Sequence, residues 1–375
     1  MIAWPFIAYS VVFLALVCVH FLLAYRAWRV SRGEQSSDID PDYVRMEDYF
    51  ARSFRLKVRE WLKLPVQTST PDGTRIIRKG RENIRVSDSA AWPSGSKSDD
   101  IQVVRGTFLC GTECVLSREI YAHESAFVGA DSRLQAIAVD GDLTIDAGVN
   151  IARWADSTGE MEIGPGSVVR ARATSGKSIR LGERAQVGSV FAPMVSTSIT
   201  NLEDPEAAED PKTTMLQVLA SVGEVGSGRL GLDPKRLRPL GAECLMYQGD
   251  LKPSVPFRLT MKLIVKGDCI IPEGSVLEGD LKAHGRIVIG NSSICKGNVV
   301  GSGDIRFGSG SRFFGVVHAG KTLLLCRNVR GGAKGAFVAA FAADELLLED
   351  DVTVYGKLAA GRCVIVSERK TPNRL

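Results

Sequence analysis

A mainly β protein, built as a parallel β-helix behind one N-terminal transmembrane α-helix, is the fold class the sequence predicts. Three observations predict it. Residues 2–25 contain no Asp, Glu, Lys or Arg. Blocks of about 18 residues recur in register on both sides of a non-repetitive stretch. Inside each repeat, apolar residues sit two apart and a turn residue, usually Gly, follows at once.

The first element is the apolar run. An uncharged stretch of more than about 20 residues is long enough to cross a hydrocarbon core of roughly 30 Å. Met1 to Phe6 holds no basic residue and no small-x-small cleavage site follows, which argues against a secretory leader. Arg26, Arg29 and Arg32 come immediately afterwards, and basic residues stay on the cytoplasmic side. The expectation is a single-pass inner-membrane protein with residues 1–25 as the span, its N-terminus outside and nearly everything else cytoplasmic.

The second element, residues 26–66, reads as a basic amphipathic juxtamembrane region. Between Pro41 and Pro65, Met46, Tyr49, Phe50, Phe54, Leu56, Val58, Trp61 and Leu62 interleave with Arg45, Arg52, Arg55, Lys57, Arg59 and Lys63. Asp40 before Pro41 suits a helix start. Such a helix fits an anionic leaflet, with Arg26, Arg29, Arg32, Arg52, Arg55, Lys57 and Arg59 facing lipid. It fits equally well packed on its own domain. Residues 67–102, with Pro71-Asp72-Gly73 and Pro93-Ser94-Gly95, read as linker with one short strand at Arg75 to Arg78.

The repeats decide the architecture. Gly141 begins GDLTIDAGVNIARWADST, Gly159 begins GEMEIGPGSVVRARATS and Lys177 begins KSIRLGERAQVGSVFAP. A second series runs from Gly267 through Gly285, Gly303 and Lys321, and a more irregular unit starts at Asp344. Weaker copies between Arg118 and Asp140 extend the first block, so the blocks are placed at 103–195 and 258–366. Pairs such as Met161 and Ile163, or Ile287 and Ile289, give the alternation of a half-buried strand. Strands of two to five residues with a turn every six or so do not fit hairpins. A chain coiling through three short faces per repeat does, with successive coils stacked in parallel at roughly 4.8 Å.

Between the blocks, residues 196–257 lack the period and carry the acidic stretch Glu203 to Pro211. Met215 to Ser221 suits a helical turn or two, and Pro234 to Pro239 looks irregular. The sequence leaves open whether the blocks form two columns or one column with a long excursion; the latter is the preferred reading. Residues 367–375 form a polar tail too short to cover the last coil. Its edge at Cys363, Val364, Ile365 and Val366 is therefore expected to be free for self-association.

Chemistry is sparse. Gly315 to Thr322 satisfies the phosphate-loop spacing G-x-x-x-x-G-K-[ST], and Ala171 to Ser178 satisfies a looser form. That chemistry needs a helix after the loop, whereas Lys177 and Lys321 both precede the repeat's own strand. A recurring corner turn explains both matches. The eight cysteines are scattered, Cys110 and Cys114 have no second pair to complete a zinc site, and they read as reduced small hydrophobes. Asp142, Glu160 and Glu162 read as a solvated strand face rather than as the carboxylates of a polysaccharide-cleaving β-helix. An 18-residue coil is also three hexads, so the alternative is a membrane-tethered hexapeptide-type acyltransferase on a left-handed β-helix, with His318 as its best histidine. The hexad series from Ile163 breaks at Ser175 and Pro193, which weighs against it. The net charge of +4 forces no partner. The expectation is no enzyme, no cofactor or metal, no nucleotide and no nucleic acid.

The units VKGDCIIPEGSVLEGDLKAHGRIVIG and GDIRFGSGSRFFGVVHAG, with G-x-φ near the end of each coil (Gly279-Asp280-Leu281, Gly297-Asn298-Val299, Gly315-Val316-Val317), resemble bactofilins, the bacterial polymer-forming cytoskeletal proteins. The likeness covers roughly half the chain. It implies a right-handed column that polymerises end to end without nucleotide, attaches to membrane lipid and scaffolds envelope or morphogenesis proteins. The family lends no catalytic residue. The long juxtamembrane region and the mid-domain insertion depart from its pattern.

Overall fold

The computed structural model describes residues 47–70, 73–80, 82–197 and 233–368, together with Phe21 and the pair Leu216–Gln217. The chain divides into a short unit, Met1–Tyr49, which lies almost wholly outside those residues, and a large one, Phe50–Leu375. Among the described residues no helix is long and apolar enough to cross a membrane. The fold class is corrected accordingly: what the structure supports is a mainly β solenoid, with no transmembrane α-helix among the described residues. The stretch assigned to the span, and Arg26, Arg29 and Arg32 beyond it, lie outside the described residues apart from Phe21.

The solenoid has about fourteen coils of about 18 residues. Each coil crosses three faces, here A, B and C. In the first block Trp154–Ser157 lies on A, Glu160–Ile163 on B and the start of Val168–Ser175 on C, after which the same strand bends back onto A. The pairing is parallel and in register at the repeat spacing, for example Leu143↔Met161↔Ile179 on B. In the second block Leu263↔Leu281↔Val299↔Val317 run along A and Cys269↔Ile287↔Ile305↔Leu323 along B. These ladder residues point inward and form one continuous buried core that includes both blocks. At about 4.8 Å per coil the column is roughly 65 Å long.

Two local devices keep the coils in step. Between B and C most coils pass through a left-handed residue: Gly95, Glu113, Asp131, Gly148, Gly166 and Arg184 in the first block, Gly274, Ser292, Gly310, Asn328 and Asp351 in the second. Between A and B, or C and A, a Gly-Asp or Gly-Asn pair bridges to the next coil. Asp250 Oδ1 accepts the Asp268 N–H at 2.9 Å, and Asp268 Oδ1 accepts the Arg286 N–H at 3.0 Å. Asp280 accepts from the Asn298 N–H and Asn298 Oδ1 from the Val316 N–H, at 2.9 and 2.8 Å. The glycine is required because the coils touch there: a Cβ on Gly267 would lie 2.7 Å from the Gly249 carbonyl carbon.

The two blocks join tail to tail. The strand Gln186–Ser196, which ends the first block, pairs antiparallel with Thr353–Val366, which ends the second. Val187 faces Val364, Val190 faces Leu358 and Val195 faces Val354, so the contact runs around all three faces. The expected single column is found as one core, but its halves run in opposite directions and are related by an approximate two-fold. The outer ends follow the same relation. The first coil of one block is covered on A by the antiparallel strand Arg75–Lys79, and that of the other by Leu237–Pro239.

Several boundaries move. The first block begins at Glu82–Ser87 rather than at 103, because the polar, Gly- and Pro-containing residues read as linker are corner turns and outward positions of a terminal coil. The second begins at Cys244–Tyr247 rather than at 258. Leu216–Gln217 is a short strand paired with Phe257–Arg258, where a helical turn was expected. Pro234–Arg236 makes one 3-10 turn before Leu237–Pro239. The rest of 198–232 lies outside the described residues.

Candidate interaction surfaces

One helix, α1 (Tyr49–Trp61), flanks the column. Its apolar stripe of Ala51, Phe54, Val58 and Trp61 has the spacing of one helix face. It packs on Val103, Ala136, Ala138 and Trp154, residues that point outward from face A of the first block. Phe54 meets the Trp61 and Trp154 rings edge-on, with centroids 6.0 and 5.8 Å apart.

At the middle of α1, Arg55 is held by two coils. Its Nε donates to Asp140 Oδ1 at 2.6 Å, its Nη2 to the Val139 carbonyl at 2.8 Å, and its Nη1 lies 2.5 Å from Asp156 Oδ1. Asp156 is only 4% exposed and also accepts from the Thr174 hydroxyl. Tyr121 Oη donates to the second oxygen of Asp140 at 2.6 Å. Burial disfavours the Arg55 charge, but Asp156 and Asp140 outweigh it and raise its pKa. Burial likewise works against the Asp140 carboxylate, and the Tyr121 hydroxyl and Arg55 outweigh it, holding that carboxyl below its usual range. The same phenol is pushed well above the ordinary tyrosine range, by burial first and then by Asp140. Arg55, expected at the lipid surface, is therefore corrected to a clamp between helix and solenoid: its charge is committed to two carboxylates.

The opposite side of α1 is open and basic. Arg52 and Arg59 are exposed there with Leu56 and Glu60, and Phe50 and Lys57 are exposed along the flank of the buried stripe. The capping strand Arg75–Lys79 adds exposed Arg78 and Lys79, and Lys79 Nζ sits 6.0 Å from the Trp61 ring centroid, joining the two elements into one surface.

The edge expected to be free is occupied. Val364 and Ile365 pair with Val187 and Gln186, and the Arg184 and Val366 main chains bond at 3.0 Å. Val364 and Val366 are buried, and Cys363 is half-buried. The reason is the reversed direction of the second block, which brings both C-terminal coils together. At the outer ends, Ala90–Trp92 has a single described strand neighbour, Phe108–Cys110. Ala90 N–H and Trp92 C=O bond toward that inner coil, so the alternating Ala91 main-chain groups face the open end.

The remaining residues singled out by sequence disperse. Lys177 and Lys321 occupy equivalent corners from A to B, each leading into a strand, Ser178–Leu181 and Leu323–Leu325. His318 points outward on A of the second block between Val300 and Phe341. Asp142, Glu160, Glu162 and Arg180 line an open groove of about 200 Å³ on B of the first block, where Asp142 Oδ1 accepts the Glu160 N–H at 2.8 Å. The seven described cysteines are unbridged, and burial pushes the Cys110 and Cys295 thiols up to about 12. What the sequence reading missed is the acid pair Asp140 and Asp156; its only trace is two aspartates 16 residues apart, two residues short of the repeat.

In comparisons with family models, curated proteins and solved structures, nothing matches this chain.

Proposed function

We propose that this chain is a structural scaffold of the bactofilin kind: a rigid β-helical rod that rests on the cytoplasmic face of a bacterial inner membrane and presents its lateral faces to envelope-associated proteins. The observation that carries the reading is the continuous core running through a tail-to-tail junction, which makes two β-helical arms one stiff body without a hinge. The resemblance of the repeat register to that of bactofilins supports it. Anionic lipid is the partner that suits the outer surface of α1, where each basic residue near a charged leaflet adds about 1 kcal/mol. Copies join at the outer ends, where the Ala91 edge is open on B, rather than through the sealed coil at Cys363 to Val366.

Two measurements test it. The full chain should cosediment with vesicles containing anionic lipid, more weakly as salt rises, and Arg52→Glu with Lys57→Glu and Arg59→Glu should abolish the salt-sensitive part. Binding that is equal on zwitterionic vesicles would refute the lipid assignment. Ala91→Pro blocks the outer edge without removing a bond to the inner coil, and should reduce large assemblies in sedimentation velocity. A wild-type chain that stays monomeric at high concentration would overturn self-association and leave a monomeric scaffold.

A further inference from the structure

The outward ladder on face B of the second block is Ile270, Val288, Arg306, Leu324, Leu347 and Ile365. Residues on either side of each, such as Ile287 and Ile289 or Leu323 and Leu325, belong to the column core, so alternation turns the ladder outward. Outward positions of a solenoid should be polar, yet five of these six are aliphatic and none of the six is buried. The ladder that continues this face across the junction returns to polarity at Gln186, Asn150, Arg133 and Lys97. Arg306 does not interrupt the stripe, because its head group turns sideways: Nε donates to Cys326 Sγ at 3.4 Å, and the Glu349 carboxylate favours its charge. Its aliphatic stem stays on the stripe.

The rim between A and B indicates what covers this face. Each coil carries a charged side chain there, two or three residues before its stripe residue: Asp268, Arg286, Asp304, Lys321, Asp344 and Arg362. Along the column the signs run negative, positive, negative, positive, negative, positive. Within the chain Asp268 holds Arg286 at 2.7 Å and Glu345 holds Arg362 at 2.9 Å, while Asp304, Lys321 and Asp344 enter no ion pair among the described residues and are exposed. A series of alternating charges with an even number of members is complementary to its own reverse. Turned over by a two-fold axis parallel to the strands, Asp268 meets Arg362 of a second copy, Arg286 meets Asp344 and Asp304 meets Lys321. On the stripe Ile270 then lies over Ile365 and Val288 over Leu347. A slip of one coil sets like charges against each other, so the rim also fixes the register.

We infer that face B of the second block is the seat of a second copy of this chain, packed antiparallel through its own face B across a two-fold axis between Arg306 and Leu324. The contact is isologous and therefore closed, with the two sheets about 10 Å apart. Five coil steps of about 4.8 Å, by a face about 20 Å across, cover roughly 500 Å² on each copy. That total of about 1,000 Å² is where specific interfaces begin. The pairing sets rods side by side, goes beyond their joining at the outer ends, and leaves face A to other partners.

Sedimentation velocity of the full chain carrying Ala91→Pro, which disables the outer edge, tests this. The chain should sediment as a dimer, and Leu324→Asp with Leu347→Asp should return it to a monomer. A monomer before those changes would leave the stripe to a different protein and overturn the inference, as would a dimer indifferent to them. The rim gives a second measurement on exposed residues that carry no part of the core. Lys321→Glu alone and Asp304→Lys alone should each weaken the dimer about tenfold, because each sets two pairs of like charges together. An equal mixture of the two variants restores opposite charges at both places and should recover the dimer. A mixture no tighter than either variant rules out the antiparallel register. End-to-end joining is read from large assemblies of the chain with Ala91 intact, so this pairing and the scaffold reading fail separately.

Discussion

The two blocks wind the same three-face plan and meet across an approximate two-fold, yet they are clad on different faces. On the first, Ala136, Ala138 and Trp154 point outward from A and lie under α1. The corresponding part of A on the second block presents Lys282, Val300 and His318, with Lys282 and His318 exposed. On C the relation reverses, the first block wet and the second carrying buried Val276 and Ile294. Inward positions of both blocks are alike because one column core needs the same small and branched residues at every coil. Outward positions differ because they record what covers each face. In a solenoid the inward ladder specifies the fold, and departures from polarity on the outward ladder specify its attachments.

The largest effect expected tests the shared part. Val364 is 1% exposed and faces Val187 across the junction, so Val364→Lys places a charge in the continuous core with no partner. Such a change costs several kcal/mol, about 4 or more, and the thermal midpoint by circular dichroism should fall steeply. A midpoint within a degree or two of wild type would mean that the blocks do not depend on their tail-to-tail contact. Next comes the cladding of the first block. Arg55→Ala leaves Asp156 buried without its cation, a loss of about 3 kcal/mol. Limited proteolysis should then cut within Tyr49–Trp61 while the column stays resistant. Loss of the column as well would show that α1 is part of the core rather than attached to it.

The acid response sharpens the same contrast. The carboxyls of Asp140, Asp268 and Asp280 all have folded pKa values below their ordinary ones. In Asp140, Tyr121 and Arg55 overcome the opposing effect of burial; in Asp268 and Asp280 the main cause is the N–H donated by the next coil. A depressed folded pKa contributes stability that is complete above the unfolded value, about 3.9 for Asp, and is lost as pH falls through the folded value. Stability should therefore be flat with respect to these groups above about pH 5 and decline below pH 4. Asp140→Asn should flatten the part of that decline reported by Trp154 fluorescence beneath α1. An identical acid profile in the variant would remove the clamp from the account.

How much of this was legible in the sequence follows from what each signal encodes. Met161-x-Ile163 and Ile287-x-Ile289 announce strands because alternation is local, and the 18-residue period announces stacking because Gly267 and Asp268 must recur where coils touch. Chain direction leaves no such mark. A β-helix read upward or downward has the same repeat, so the reversal after Thr197, and with it the sealing of Cys363 to Val366, depends on where the intervening residues lead. The first coil was missed because Pro93-Ser94-Gly95 has the composition of a linker, and corners of solenoids are made from the same residues as linkers. Arg55 was read as lipid-facing because its partners are 85 and 101 positions away, beyond any local pattern.

The smallest effect concerns the left-handed corner residue that most coils place between B and C. Glycine fills it at Gly148 and Gly166 in the first block and at Gly274 and Gly310 in the second, whereas Glu113 of the first block holds φ at 57° with a side chain attached. For an L-residue that conformation costs roughly 1–2 kcal/mol, because Cβ crowds the carbonyl that follows. Glycine removes the crowding but gives back part of the gain through its freer unfolded chain. Glu113 is exposed, and its N–H donates to the Ala130 carbonyl at 2.8 Å, a bond that glycine keeps. Glu113→Gly should therefore stabilise the first block by about 0.5–1 kcal/mol, seen as a higher denaturant midpoint with an unchanged slope. Gly274→Glu at the equivalent corner of the second block should destabilise by a similar amount. If both changes moved the midpoint the same way, the corner would be set by contacts particular to each block and not by the backbone conformation they share.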